Sequence, residues 1–267
     1  GLVLDLRDNP GGVMTAALET AALFLKPEQT LMSVRGRRVN ESDAKVPPNA
    51  KPYEFPMSVL INAKSASASE IVAGALQDHD RATILGEPSF GKGLVQSVYP
   101  LSSNTAVLLT TAYYFTPSGR SIQRPLRDAQ IEQRLSSEKE YQTDSGRVVK
   151  GGGGIEPDFK AYPDPVTRLR GALEASGILT AFATEYVSKN KITESFDVTP
   201  ELLGDVWTYC AERRINPGVQ ERFAENQWLR MRLKQEIITI ALGVDKGDVV
   251  EVQRDPVVRR AVDALSR

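Results

Sequence analysis

The sequence predicts an α/β fold, on three observations. Short aliphatic or β-branched runs alternate with segments that are apolar at helical spacing. Clusters of Gly and Pro separate them. Beyond Pro165 the pattern turns wholly helical.

In chain order, residues 1–6 (Gly-Leu-Val-Leu-Asp-Leu) read as a strand and Asp8-Asn-Pro-Gly-Gly12 as a turn. Val13 to Leu25 is apolar at helical spacing and stops at Lys26-Pro27. Met57 to Asn62 is a second strand. Ser67-x-x-Glu70 has capping-box form, in which the serine hydroxyl serves the first free N–H groups of a helix running to about Asp78. Arg81 to Leu85 is a third strand, closed by Gly86. Leu94 to Tyr99 and Thr105 to Phe115 also read as strands, the second broken at Thr116-Pro-Ser-Gly119. Gln123 to Lys150 is polar and charged, a surface excursion that returns through Gly151-Gly-Gly-Gly154. Helical periodicity then covers Val166–Val187, Pro200–Arg213, Val219–Leu242 and Pro256–Leu265. The expected division is a core over 1–165 and a helical region over 166–267, a subdomain or an oligomerisation element that offers a homodimer contact.

The 267 residues suffice for one large domain or two ordinary ones, and 41% hydrophobic with 25% charged residues is a globular composition. A formal net charge of -1, with basic residues dispersed, points away from a nucleic-acid partner. No apolar run approaches the roughly 20 residues of a membrane span. Gly1 opens directly into a strand pattern without initiator Met or signal peptide, so the chain is expected to be a fragment of a longer protein. The single Cys210 excludes an intrachain disulfide and lies on a helix face without a neighbouring histidine, which argues against a reactive thiol.

The chemistry concentrates in Lys64-Ser-Ala-Ser-Ala-Ser-Glu70 and in Lys92 downstream. A serine at a helix N-terminus can attack a carbonyl while the next N–H, on Ala68, faces the developing oxyanion. Taken alone, this segment favours Ser65, Ser67 and Ser69 as simple cap and turn residues. A nucleophilic serine needs a base. His79, the one histidine, lies twelve residues beyond Ser67, about 18 Å along a helix. It reads as a capping or solvated helix-end residue. Lysine is the base that remains. Gly91 and Gly93 flank Lys92 and allow close backbone approach, and Phe90, Leu94 and Val95 offer apolar neighbours to desolvate the amine; a solvated turn lysine is the alternative. Gly86-Glu-Pro-Ser-Phe-Gly91-Lys92 has Walker A spacing, but Gly93 stands where Ser or Thr holds magnesium and a strand follows. Ser89-x-x-Lys92 matches a penicillin-binding motif that opens a helix, which two flanking glycines disfavour. The Gly11 and Gly12 amides either complete an oxyanion hole or form an ordinary strand-to-helix turn.

Together these segments resemble the carboxyl-terminal processing peptidases, or tail-specific proteases. The stretches that match, in family order over residues 1 to about 160, are Leu-Asp-Leu-Arg-Asp-Asn-Pro-Gly-Gly, Ser-Ala-Ser-Ala-Ser-Glu-Ile-Val-Ala-Gly-Ala-Leu-Gln-Asp, Gly-Glu-Pro-Ser-Phe-Gly-Lys-Gly-Leu-Val-Gln, Tyr-Phe-Thr-Pro-Ser-Gly-Arg-Ser-Ile-Gln and Gly-Ile-Glu-Pro-Asp. The resemblance implies Ser67 as nucleophile, Lys92 as general base and Gln96 as the residue that orients the lysine. It implies an oxyanion hole from Gly11 or Gly12 and Ala68, and support from Arg7, Glu70, Asp78 and Ser89. Ser89 stands where threonine is common in the family. The implied fold is a crotonase-like spiral of ββα units carrying the helical C-terminal subdomain. The implied activity is cleavage of proteins near apolar C-termini, in the bacterial periplasm or cell envelope or the thylakoid lumen, without metal, nucleotide or other cofactor. A PDZ domain usually precedes the Leu-Asp-Leu-Arg segment, so residues 1–165 are expected to be the C-terminal part of a larger catalytic domain. The excursion at 123–150 is longer than in many members. Two rivals are an idle peptide-binding scaffold, against which Ser67, Lys92 and Gln96 argue, and a crotonase-like acyl transferase, for which no coenzyme A motif is present.

Overall fold

The computed structural model describes residues 1–37, 39–125 and 139–265. The chain divides into two compact units: residues 1–162 together with the end of the chain from residue 260, and residues 163–259.

The first unit is mixed α/β. Its strands β1 (Leu2–Asp5), β4 (Met57–Ile61), β5 (Thr83–Gly86) and β10 (Phe159–Lys160) form a parallel sheet in the order β1-β4-β5-β10. All five residues of β4 are buried, as a parallel strand covered on both faces requires. Helix α1 (Met14–Ala22) follows β1, and α2 (Ala68–Asp78) links β4 to β5. A second sheet is antiparallel, in the order β3-β2-β7-β6, from β2 (Thr30–Gly36), β3 (Val39–Lys45), β6 (Leu94–Pro100) and β7 (Ala106–Phe115). A small hairpin pairs β8 (Glu140–Gln142) with β9 (Val148–Lys150).

Helix α2 is the centre of this unit, buried at all eleven positions. Ile71, Val72, Ala75 and Leu76 enter the apolar core with Val59, Ile61, Ile84 and Ile155. A helix buried all round must satisfy its polar side chains internally. Gln77 Nε2 donates to the Glu156 carbonyl at 2.9 Å, and its Oε1 accepts from Arg120 at 2.7 Å. Asp78 accepts from Arg120 at 2.7 Å and from the Ser118 N–H at 2.9 Å. The α2 C-terminus is thereby locked to the turn that follows β7.

Several elements differ from the sequence reading. β2 and β3 fall where no strand is expected. β3 (Val-Asn-Glu-Ser-Asp-Ala-Lys) is a polar edge strand, held by pairing with β2 rather than by its own hydropathy. The expected excursion over 123–150 contains β8 and β9; residues 126–138 of it lie outside the described residues. Two-residue β10 is too short to leave a periodic signal.

The second unit is helical, with α3 (Arg168–Ala175), α4 (Ile178–Lys189), α5 (Pro200–Glu212), α6 (Val219–Leu242) and α7 (Val244–Arg254). The helix α8 (Pro256–Leu265) completes the chain's elements. The single helix expected over 166–187 is two, because Gly177 takes a left-handed φ of 65° between α3 and α4. Gly243 likewise sets off α7, which the sequence reading misses. Leu173, Phe182, Trp207, Leu229, Leu233 and Ile237 form this unit's core. Inside it, the Glu225 carboxylate accepts from Thr167 Oγ1 at 2.7 Å and from Arg170 Nε at 2.5 Å.

Candidate active site

Ser67 is the N-cap of α2, with φ 55° and ψ -114°. Positive φ is costly for a residue with a Cβ, on the order of 1–3 kcal/mol, and such strain concentrates at functional sites. The capping box forms only in part. The Glu70 carboxylate accepts the Ser67 N–H at 2.8 Å, but the Glu70 N–H goes to the Ser67 carbonyl, also at 2.8 Å. The serine hydroxyl therefore makes no cap bond, contrary to the expectation that it serves the helix N–H groups.

Lys92 sits on a loop whose backbone is fully engaged. The N–H groups of Gly91, Lys92 and Gly93 donate to Glu70 Oε1 (2.7 Å), Glu70 Oε2 (2.9 Å) and Gln123 Oε1 (2.9 Å). The carbonyls of the same residues accept from the Arg124 N–H (3.0 Å), the Tyr114 hydroxyl (2.8 Å) and the Tyr114 N–H (3.0 Å). Gly91 has φ 87°, and a Cβ there would lie 2.9 Å from the Arg124 Cβ, so the loop needs its glycine. The Lys92 side chain is exposed on this fixed platform and has no partner among the described residues. Phe90 is itself 54% exposed. The expected desolvation of Lys92 by Phe90, Leu94 and Val95 is thus absent: the loop presents Lys92 and Phe90 to solvent, while Leu94 and Val95 are half-buried and Val95 packs inward against the core.

Glu70 and Tyr114 tie the serine turn to the lysine loop. One carboxylate oxygen, Glu70 Oε2, accepts from both the Ser67 and the Lys92 N–H. The Tyr114 hydroxyl lies 3.1 Å from the Ser67 carbonyl and 2.8 Å from the Lys92 carbonyl. Glu70 Oε1 also accepts from the Ser89 hydroxyl at 2.5 Å, and Ser89 Oγ accepts the Ile155 N–H at 2.6 Å. Burial pushes the Glu70 carboxyl above its ordinary range, against the opposing pull of the Ser89 hydroxyl and the three amides. Burial, and then the Glu70 charge, hold the Tyr114 phenol well above 10. Ser67 Oγ and Lys92 Nζ make no hydrogen bond among the described residues, to each other or elsewhere.

The turn after β1 lies against the serine. The Asn9 carbonyl accepts from the Ala66 N–H at 3.0 Å and from Ser69 Oγ at 3.1 Å. Gly11 has φ 91°, and a Cβ on it would fall 2.5 Å from the Ala66 carbonyl oxygen and 2.8 Å from the Ala68 nitrogen. Its own N–H donates to Asn9 Oδ1 at 2.9 Å. The N–H groups of Gly12 and Ala68 have no acceptor among the described residues. Gly11→Ala is expected to destabilise the protein by about 1–3 kcal/mol, because strain and a backbone clash coincide. Urea denaturation of the variant against the wild type checks this.

The remaining candidates spread out. Arg7 forks onto Asp5, with Nε 2.9 Å and Nη2 2.6 Å from its carboxylate. Asp78 is at the opposite end of α2 from Ser67, in its buried pair with Arg120. Gln96 is exposed on β6 beside a bulge, and its side chain bonds to nothing among the described residues. His79 is the C-cap of α2, yet it is enclosed rather than solvated: Nε2 is 2.7 Å from the Thr30 carbonyl and Nδ1 is 2.8 Å from Asp144. Cys210 is buried in the second unit, and burial pushes its thiol up.

Residues 1–133 match the model of peptidase family S41. Over these residues the chain belongs to peptidase family S41. The S41 match takes in Gly11, Ser67, Glu70, Lys92 and Tyr114. The chain is 56% identical over 126 residues to a carboxy-terminal-processing protease of Bartonella bacilliformis, covering 46% of this chain and 28% of that protein. It is 42% identical over 139 residues to a carboxyl-terminal-processing protease of Synechocystis, covering 51% and 32%. A solved photosystem II D1 C-terminal processing protease aligns over 62% of this chain and 36% of its own, at 31% identity and a TM-score of 0.48. The S41 chain thus spans under a third of the length of these two curated relatives.

Tyr114, Asn9 and Arg124 also bond to the serine turn or the lysine loop, and sequence reasoning did not assign them. Tyr114 shares a face of β7 with buried Ala112, two residues earlier, with half-buried Tyr113 between them. The partners of the Tyr114 hydroxyl, 47 and 22 residues earlier, were not readable from the sequence.

Proposed function

We propose that this chain carries the catalytic centre of a serine endopeptidase that cuts proteins near apolar C-termini, with Ser67 as nucleophile and Lys92 as general base. The observation that carries the reading is the shared anchoring of the two residues. Their backbones meet on one carboxylate oxygen and one phenol, while Ser67 Oγ and Lys92 Nζ make no hydrogen bond among the described residues.

In this mechanism neutral Lys92 Nζ takes the Ser67 hydroxyl proton as Oγ bonds to the peptide carbonyl carbon. The carbonyl electron pair moves to oxygen, held by the Ala68 N–H. Gly12 is the second donor, since the Gly11 amide is already bound to Asn9. Collapse breaks the C–N bond, and the lysine ammonium protonates the leaving nitrogen. Water, deprotonated by Lys92, then attacks the acyl-enzyme and releases Ser67 with a carboxylate product. Gln96 would orient the lysine when substrate covers it. Glu70 and Ser89 hold the frame; Asp78 stiffens α2, and Arg7 braces the turn after β1. The family resemblance supports a bacterial periplasmic or envelope setting, and none of these steps needs a metal or cofactor.

The unbonded side chains of Ser67 and Lys92 also suit a second reading, a peptide-binding scaffold without chemistry. Incubation with a fluorescence-quenched peptide ending in apolar residues separates the two. Wild type is expected to cut it, and Ser67→Ala to cut it about 10⁴-fold more slowly or worse while binding is kept. A wild type that binds the peptide intact selects the scaffold.

A further inference from the structure

We infer that Tyr114 is a positioning residue for this pair, holding the Lys92 loop at a fixed distance from the Ser67 turn. The inference rests on the Ser-Lys reading. The Tyr114 hydroxyl bonds to two backbone carbonyls and to neither reactive atom.

The two contacts are unequal in consequence. The Ser67 carbonyl already accepts the N–H groups of Glu70 at 2.8 Å and Ile71 at 3.0 Å, the first bonds of α2. It keeps those without the phenol. The Lys92 carbonyl accepts only the phenol among the described residues, at the shorter 2.8 Å. A phenol has one proton to give, so the loss of the hydroxyl falls on the lysine. The ring itself is 3% exposed and packs in the core, so it is a rigid post. Its backbone adds a second tie, from the Tyr114 N–H to the Gly93 carbonyl at 3.0 Å. The phenol stays protonated through neutral pH, because burial and the Glu70 charge both oppose its ionisation. On the opposite side, Glu70 fixes the same two residues by their N–H groups. The flanking bonds of Gly91 and Gly93 hold the ends of the loop, but the Lys92 carbonyl has the phenol as its one partner among the described residues, so without the hydroxyl the Lys92 peptide is held by its N–H edge alone. A base displaced by about 1 Å can cost on the order of 10²-fold in rate.

The test is Tyr114→Phe in the full chain, beside wild type and Ser67→Ala, on the same quenched peptide. A positioning role predicts kcat lower by roughly ten- to a hundred-fold with KM within about twofold. Amide hydrogen exchange at Gly91–Gly93 should quicken, while exchange in β4 and most of α2 stays at the wild-type rate. An unchanged kcat overturns the inference. So does exchange that quickens throughout the first unit, since Tyr114 would then be a general stability residue. Wild type that leaves the peptide uncut, or Ser67→Ala that cuts it, removes the Ser-Lys reading and this inference with it.

Discussion

Lys92→Ala is expected to lower kcat/KM by about 10⁴-fold or more and to leave the urea unfolding midpoint where it is. Such a separation of activity from stability is unusual and follows from how the residue is held. Every hydrogen bond that places Lys92 uses its backbone, which alanine retains. Its side chain is exposed and unbonded among the described residues, so its removal opens no cavity and strands no partner. Lys92→Arg should fail equally, because a guanidinium keeps its proton. Steady-state kinetics and urea titration of both variants decide the matter. Retained activity would remove lysine as the base, and His79 could not replace it. That imidazole is enclosed between Thr30 and Asp144 at the other end of α2.

Glu70→Gln should act in the opposite way and lower stability by about 2–4 kcal/mol along with activity. Glutamine has nearly the shape of glutamate, but one of its two ends is an NH₂ donor. Glu70 Oε1 faces the Ser89 hydroxyl and the Gly91 N–H; Oε2 faces the Ser67 and Lys92 N–H groups. Whichever end carries NH₂ opposes donors with a donor. The pH dependence provides an independent check. The folded carboxyl is raised above the ordinary glutamate value of 4.5, with burial the leading cause. The folded state therefore binds this proton more tightly than the unfolded chain does. The stability that follows from the shift is complete below 4.5 and is lost as pH rises through the raised value. Glu70→Gln should remove that decline. Urea midpoints of both proteins measured from pH 4 to pH 8 should lie furthest apart at the acid end and draw together as pH rises; a parallel offset at all pH values would contradict the assignment.

Much of the site was readable because its parts are local. The helix start at Ser67, the glycines around Lys92 and the turn at Asp8–Gly12 each follow from residue types a few positions apart. The α/β alternation and the helical second unit were readable for the same reason. β3 was not, since a polar edge strand obtains its structure from its neighbour. Nor was the engaged backbone of residues 91–93, whose partners Glu70, Tyr114, Gln123 and Arg124 are scattered over 55 positions of the chain.

By itself, then, the sequence determined which groups are proposed for the chemistry: a serine at a helix mouth, and a lysine in place of a histidine that stands too far along the same helix. Local spacing is enough for that. Only the tertiary structure decided that the Gly11 amide is already committed to Asn9, that the Ser67 hydroxyl is not a cap, and that Glu70 and Tyr114 hold serine and lysine together. Those outcomes depend on which donor reaches which acceptor across tens of residues. That is settled by how α2 is buried between its two sheets, not by any spacing along the chain.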